Sequence, residues 1–145
     1  MFEQAQPYTI IIGTDRIGSH TEKVARQYEK LLHQKNIPVS LFSIREVGLD
    51  FRDKKFLSAQ KDILIPTQKF IFIIPEYNGS YPGVLKMMID HSDIKNVWAK
   101  KKALLTGLAT GRAGNLRGMD HLSDTLQYLK MTVHYNKLPI SRIDQ

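Results

Sequence analysis

Hydrophobic positions along this chain change their period in a regular order. Tyr8 to Ile12 is a short apolar, β-branched stretch that stops at Gly13 and reads as a strand. From Thr21 to Gln34 the residues Val24, Tyr28, Leu31 and Leu32 recur at helical spacing. After a turn at Lys35-Asn36, Pro38 to Phe42 reads as a second strand. Phe70-Ile71-Phe72-Ile73-Ile74 is a third, continuous in its hydrophobicity as a strand covered on both faces should be. A helix from about Val84 to Asp90 aligns Val84, Leu85, Met88 and Ile89, and Ala103 to Ala109 supplies a fourth strand ending in small residues. A further helix carries Met119, Leu122, Leu126 and Leu129 on one face. Thr132 to Ile140 is a fifth extended segment, partly alternating through Val133, Tyr135 and Leu138 and interrupted by Pro139. Gly48 to Pro66 is mostly polar and charged, and reads either as a short helix around Phe56 to Ile63 or as a mobile excursion.

Strands that alternate with helices imply right-handed crossovers onto a parallel sheet, hence a three-layer α/β/α sandwich. Five strands suit the flavodoxin-like order 2-1-3-4-5. A chain of 145 residues accommodates one such domain, spanning 1–145, and is too short for two.

Composition narrows the chemistry. The chain contains no cysteine, which excludes disulfides, thiolate zinc sites, iron–sulfur clusters and cysteine nucleophiles. The five histidines are scattered without metal-ligand spacing and read as structural or surface residues, so no metal is expected. Asp90-His91-Ser92-Asp93 resembles a hydrolytic triad on paper, but adjacent residues at a helix end point in different directions and no Gly-x-Ser-x-Gly elbow is present. No stretch approaches the roughly 20 apolar residues that span a membrane. Met1-Phe2-Glu3-Gln4-Ala5-Gln6 has no leader character, and a soluble, cytoplasmic protein is the expectation. The formal charge of +7 favours anionic partners. Its densest run, Lys100-Lys101-Lys102, reads as a solvated sheet edge, and with no nucleic-acid-binding motif beside it no nucleic-acid partner is expected.

Ligands of open parallel sheets bind beyond the carboxyl ends of the strands. Three unusual segments fall there. Gly13-Thr14-Asp15-Arg16-Ile17-Gly18-Ser19-His20-Thr21 leads straight into a helix N-terminus. Hydroxyls of Thr14, Ser19 and Thr21, first-turn amides and the Arg16 guanidinium would suit a phosphate dianion. Equally, Ser19 or Thr21 simply caps the helix, with Glu22 in its first turn. The loop lacks both the Walker Gly-Lys-Ser/Thr and the Gly-x-Gly-x-x-Gly spacing, so neither an NTPase nor a Rossmann domain is favoured. The second segment is Pro75-Glu76-Tyr77-Asn78-Gly79-Ser80-Tyr81-Pro82-Gly83-Val84-Leu85-Lys86, and the third runs from Gly107 to Gly118.

The pairing of the first two segments resembles the NADPH-dependent FMN reductase family, which includes azo and quinone reductases. The resemblance implies that Thr14, Arg16, Ser19 and Thr21 hold the FMN phosphate. It implies too that Pro75, Glu76, Tyr77, Asn78 and Gly79 line the isoalloxazine ring, where Gly79 permits close backbone approach and Tyr77 supplies an aromatic wall. The family's glycine-rich third turn matches Gly111 and Gly114 best, with Ala109 and Thr110 near the ring. Arg112 and Arg117 depart from that pattern, and Arg112 reads either as a cation near the flavin's N1 or as solvated.

The reaction implied is hydride transfer from NADPH or NADH through bound FMN to a small-molecule acceptor such as a flavin, quinone, azo compound or metal ion. The cofactor carries the chemistry and no catalytic side chain is required. The alternative is a flavin-binding electron carrier or redox sensor without strong NAD(P)H turnover. Family members continue into a last helix that has no counterpart here. A sandwich lacking it would expose apolar sheet, from which a homodimer or homotetramer is expected.

Overall fold

The computed structural model describes residues 8–145, so Met1 to Gln6, read above for leader character, lie outside the described residues. Strand β1 (Tyr8–Ile12) is followed by helix α1 (His20–Gln34), β2 (Val39–Ser43), α2 (Ile44–Val47) and α3 (Lys54–Ala59). Then come β3 (Lys69–Pro75), α4 (Gly83–His91), α5 (Ile94–Val97), β4 (Lys102–Leu108), α6 (Leu116–Tyr128), β5 (Thr132–Val133) and β6 (Leu138–Ile140). The strands pair in parallel in the order β2-β1-β3-β4-β5, with β6 also on β4. This is the flavodoxin-like order that the sequence predicts.

Side chains alternate between the two faces of the sheet, and each face has its own core. Ile10, Ile12, Ile71, Ile73 and Leu108 meet α1 through Ala25, Val24, Tyr28 and Leu32. Ile11, Phe42, Phe72, Ile74 and Leu105 pack on the opposite side against Phe56, Leu85, Met88, Trp98, Met119 and Leu122. This explains why β3 reads as an unbroken apolar run: every residue from Phe70 to Ile74 is buried, alternately in one core and the other. Each large side chain so buried contributes roughly 1.5–3 kcal/mol.

The uncertain segment before β3 resolves as helix. Asp53 caps α3 by accepting from the Phe56 amide at 2.9 Å, and α3 runs on into a π-helical turn, Gln60–Leu64. Phe56 and Leu64, fully buried, anchor it to the sheet.

Two expectations need correction. The fifth extended segment is two short strands, because the chain leaves the sheet at His134 and returns at Leu138. Between them Tyr135 is 92% exposed. Pro139 is tolerated in β6, which pairs only with β4 and asks little of its missing amide hydrogen. The lysine run is not uniformly solvated either. Lys100 and Lys102 are exposed, but Lys101 is buried and its Nζ donates to the carbonyls of Leu64 (3.1 Å) and Ile65 (2.7 Å) at the end of the π-helical turn. A cation there satisfies carbonyls that the helix end leaves without partners. Burial pushes the Lys101 ammonium down from 10.5 to about 8.

Among the described residues α6 is the last helix, and no helix is long and apolar enough to cross a membrane.

Candidate functional site

β1 lies between β2 and β3. The crossover through α1 leaves on one face and that through α2 and α3 on the other, so a crevice opens at the carboxyl ends of β1 and β3. A cavity of about 520 Å³ occupies it, within the range of small-molecule sites. Its wall is made by Arg16, Ile17, Ser19, His20 and Thr21 of the first loop and helix start, Pro75, Glu76 and Tyr77 after β3, Leu108 to Ala113 after β4, and Ile143.

In the first loop Ser19 caps α1, its hydroxyl oxygen accepting from the Glu22 amide at 3.1 Å. The capping role therefore holds, and it leaves the hydroxyl hydrogen available to a ligand. The amides of His20 and Thr21, in the first turn, have no intrahelical acceptor, and both residues line the cavity at the positive end of the helix dipole. Thr14 is 1% exposed and stands outside the wall. Its hydroxyl is hydrogen-bonded to the Tyr77 phenol and also accepts from the Arg16 amide at 3.3 Å. Above the same phenol the Arg16 guanidinium carbon lies 4.1 Å from the ring centroid, within cation–π range.

The second loop closes on itself directly after Tyr77. The Tyr77 amide donates to Ser80 at 2.8 Å and the Ser80 amide returns to Tyr77 at 3.1 Å. Asn78 (φ 52°) and Gly79 (φ 78°) form the two-residue turn between them, the left-handed pair that Asn-Gly adopts most readily. Neither lies on the cavity wall. Gly79 instead faces Arg117, whose Nη1 would be 3.2 Å from a side chain added there. Ser80 is tied to His121 (2.9 Å) and Tyr81 to Thr125 (3.0 Å), both on α6, so that helix holds the loop from outside.

The third loop contributes Ala109, Thr110, Gly111, Arg112 and Ala113 to the wall. Gly114 (φ 58°) turns away from it, pressed onto β6: a Cβ there would be 2.7 Å from the Pro139 Cβ and 2.8 Å from the Ile140 amide nitrogen. The tail follows the loop through bonds from Arg142 to Gly111 (3.1 Å) and from Ile143 to Ala109 (3.2 Å), which carries Ile143 to the cavity.

Of the residues singled out from the sequence, Arg16, Ser19, Thr21, Pro75, Glu76, Tyr77, Thr110 and Gly111 thus share one cavity, while Thr14, Asn78, Gly79 and Gly114 stand behind or beside it. Ile17, His20, Leu108, Ala113 and Ile143 join the wall as well. His20 and Ile17 could have been found from their place inside the first loop; Ile143 carried no local signal. The wall carries two guanidinium side chains, Arg16 and Arg112, against one carboxylate, Glu76, a balance that suits an anionic ligand. No cluster of metal-ligating side chains occurs among the described residues. The Asp90-His91-Ser92-Asp93 run is dispersed: His91 Nδ1 pairs with the Met87 carbonyl, Ser92 donates to Ile89 and accepts from Trp98, and Asp93 caps α5.

Comparison with known proteins gives a consistent setting. A family model described as NADPH-dependent FMN reductase matches residues 8–143. An FMN-dependent NADPH-azoreductase of Staphylococcus aureus is 26% identical over 125 residues, covering 79% of this chain and 64% of that protein. The chain therefore spans just under two thirds of that relative's length. Among solved structures, the flavoenzyme NAD(P)H:(acceptor) oxidoreductase FerB from Paracoccus denitrificans superposes with a TM-score of 0.75 at 21% identity, over 93% of this chain and 79% of that one. An FMN-dependent NADH-azoreductase from Bacillus anthracis, solved with FMN, gives 0.61 at 14% identity over 88% and 85%. A flavodoxin from the domain Archaea gives 0.67 at 15% over 94% and 82%. At these identities the structural likeness concerns the fold.

Proposed function

The chain belongs to the NADPH-dependent FMN reductase family, and from that premise we propose that its cavity binds FMN and serves hydride transfer from NAD(P)H to a small acceptor. The observation that carries this reading is the convergence on one cavity of a helix N-terminus with Arg16, Ser19 and Thr21, an aromatic wall at Tyr77, and the small residues Ala109 to Gly111.

The wall fits the group at both ends. A phosphate dianion asks for charge-assisted donors, which the Arg16 guanidinium, the Ser19 and Thr21 hydroxyls and the first amides of α1 supply together. A flat ring asks for apolar and aromatic surface with close backbone approach, which Pro75, Tyr77, Leu108, Ala109 and Gly111 offer. FMN held there would supply the redox chemistry of hydride transfer between a nicotinamide and the acceptor. The protein's part is to bind, orient and exclude water. Thr14, Asn78, Gly79 and Gly114 act from behind the wall, Thr14 by fixing Tyr77 and the others by shaping the turns that carry it.

The reading extends to acceptors of the flavin, quinone, azo or metal-ion kind, with either nicotinamide as donor, and to a cytoplasmic homo-oligomer. Association into a homo-oligomer is the part of this reading that sedimentation tests. A sedimentation profile containing monomer alone would count against it.

One experiment separates the readings. The purified protein is mixed with FMN and then with NADPH or NADH under anaerobic conditions, and the flavin absorbance is followed. Binding with rapid bleaching supports the reductase. Binding without bleaching transfers the case to an electron carrier or redox sensor, and failure to bind FMN removes both.

A further inference from the structure

The Tyr77 side chain meets both Thr14 and Arg16, and through it the loop after β1 and the loop after β3 become one unit. The phenol is fixed by the buried Thr14 hydroxyl, which also holds the Arg16 amide at 3.3 Å. The guanidinium then lies back over the ring, its carbon 4.1 Å from the centroid. Arg16 makes no ion pair among the described residues, so the aromatic face is its principal anchor. Backbone and side chain of Arg16 are thereby restrained from the same two residues.

We propose that Tyr77 is a positioning residue for Arg16, holding the guanidinium over the cavity so that discrimination between phosphorylated and unphosphorylated flavin belongs to the pair. The inference rests on the FMN-binding reading above and deepens it, because there Tyr77 is only a wall for the ring. The physical reason is preorganisation. A free arginine samples many rotamers and loses that freedom when it grips an anion, whereas one already lying on an aromatic face has less to lose. The planar guanidinium stacks through its face and keeps its edge N–H groups pointing outward, free to donate to a phosphate.

The test is a titration of FMN and of riboflavin into flavin-depleted protein, read as the ratio of the two dissociation constants. A wall acting on the ring alone weakens both flavins alike and leaves that ratio unchanged. The proteins are the natural chain, Tyr77→Phe, Tyr77→Leu, Arg16→Ala and the Tyr77→Leu/Arg16→Ala double variant, each checked for an intact fold by circular dichroism. Tyr77→Phe keeps the aromatic face and should hold the ratio within about twofold, while Tyr77→Leu should reduce the preference for FMN about five- to tenfold. In the Arg16→Ala background the Tyr77→Leu change should have no further effect on the ratio. Equal weakening of both flavins by Tyr77→Leu overturns the proposal, as does a further loss of preference when Arg16 is already absent. Should Tyr77→Leu not fold, Tyr77→Met, which also removes the aromatic face, takes its place under the same two outcomes, and a collapse of the ratio in folded Tyr77→Phe overturns the aromatic anchor. A natural chain that binds neither flavin would remove the underlying reading instead, an outcome distinct from all of these.

Discussion

Thr14, two residues beyond β1, is hydrogen-bonded through its hydroxyl to the phenol of Tyr77, 63 residues further along the chain. The bond exists because β1 and β3 are neighbours in register, Ile12 opposite Ile73, so that the loops leaving them start side by side. It predicts an energetic coupling. Thr14→Val and Tyr77→Phe should each lower stability by about 1 kcal/mol, and the double variant should lose clearly less than the two together. Urea unfolding of the four proteins measures this; strict additivity would mean that the bond contributes nothing.

Gly111 and Gly114 of the third loop should behave oppositely. Gly114 has φ 58° and no room for a Cβ, which would sit 2.7–2.8 Å from atoms of Pro139 and Ile140. Gly114→Ala should cost about 2 kcal/mol or more, seen as a lowered Tm. Gly111 has nothing within 4 Å of the same position and ordinary φ, yet lines the cavity. Gly111→Ala should leave Tm within about a degree of the natural chain while weakening FMN. A stability loss there, or unaltered FMN affinity, contradicts the assignment.

Asn115 is fully buried in the left-handed conformation (φ 66°) at the start of α6, and its Nδ2 donates to the Ile74 carbonyl at 3.1 Å. Its Oδ1 has no hydrogen-bond partner among the described residues and lies against Gly118, where a Cβ would come within 2.0 Å of it. Asn115→Ala should cost about 2–3 kcal/mol, combining a lost bond with a backbone strained for alanine, and Asn115→Gly less, because only the bond is lost. Gly118→Ala should be as damaging as Asn115→Ala. Chemical denaturation ranks the three, and an Asn115→Gly variant less stable than Asn115→Ala would refute the backbone argument.

Lys101 gives stability a slope with pH. Its ammonium is held at about 8 in the folded chain against 10.5 when exposed, because burial disfavours the charge. Between those values the unfolded chain carries more protons than the folded one, so unfolding free energy should rise with pH, by at most roughly 3 kcal/mol. Below about pH 8 both states are protonated and the contribution is flat. Lys101→Met should lack the slope. Parallel stability curves for the two proteins from pH 7 to 10 would show that the carbonyls of Leu64 and Ile65 hold the charge as well as water does.

The lysine also shows where sequence reading stops. Lys100, Lys101 and Lys102 are chemically identical in the chain, and only the arrival of the preceding helix end over β4 selects the middle one for burial. Asn78, Gly79 and Gly114 show the same in the site. Their residue types announce turns, and turns they are, but whether a turn faces the cavity or props it from behind is set by its neighbours, Arg117 in one case and Pro139 in another. Ile143 reaches the wall only because the tail hydrogen-bonds back along the third loop.

What the chain determined by itself was everything local: hydrophobic period fixed strand or helix, continuous burial marked β3 as central, and glycine, hydroxyl and Asn-Gly chemistry marked the loops that leave the sheet. These signals are short-range and survive in one dimension. Which loop residues meet, which lysine is buried and which hydroxyl is already engaged were decided by the sheet order β2-β1-β3-β4-β5. That order places ends of the chain's segments side by side which the sequence holds far apart, and a contact between them has no trace in the residues lying between.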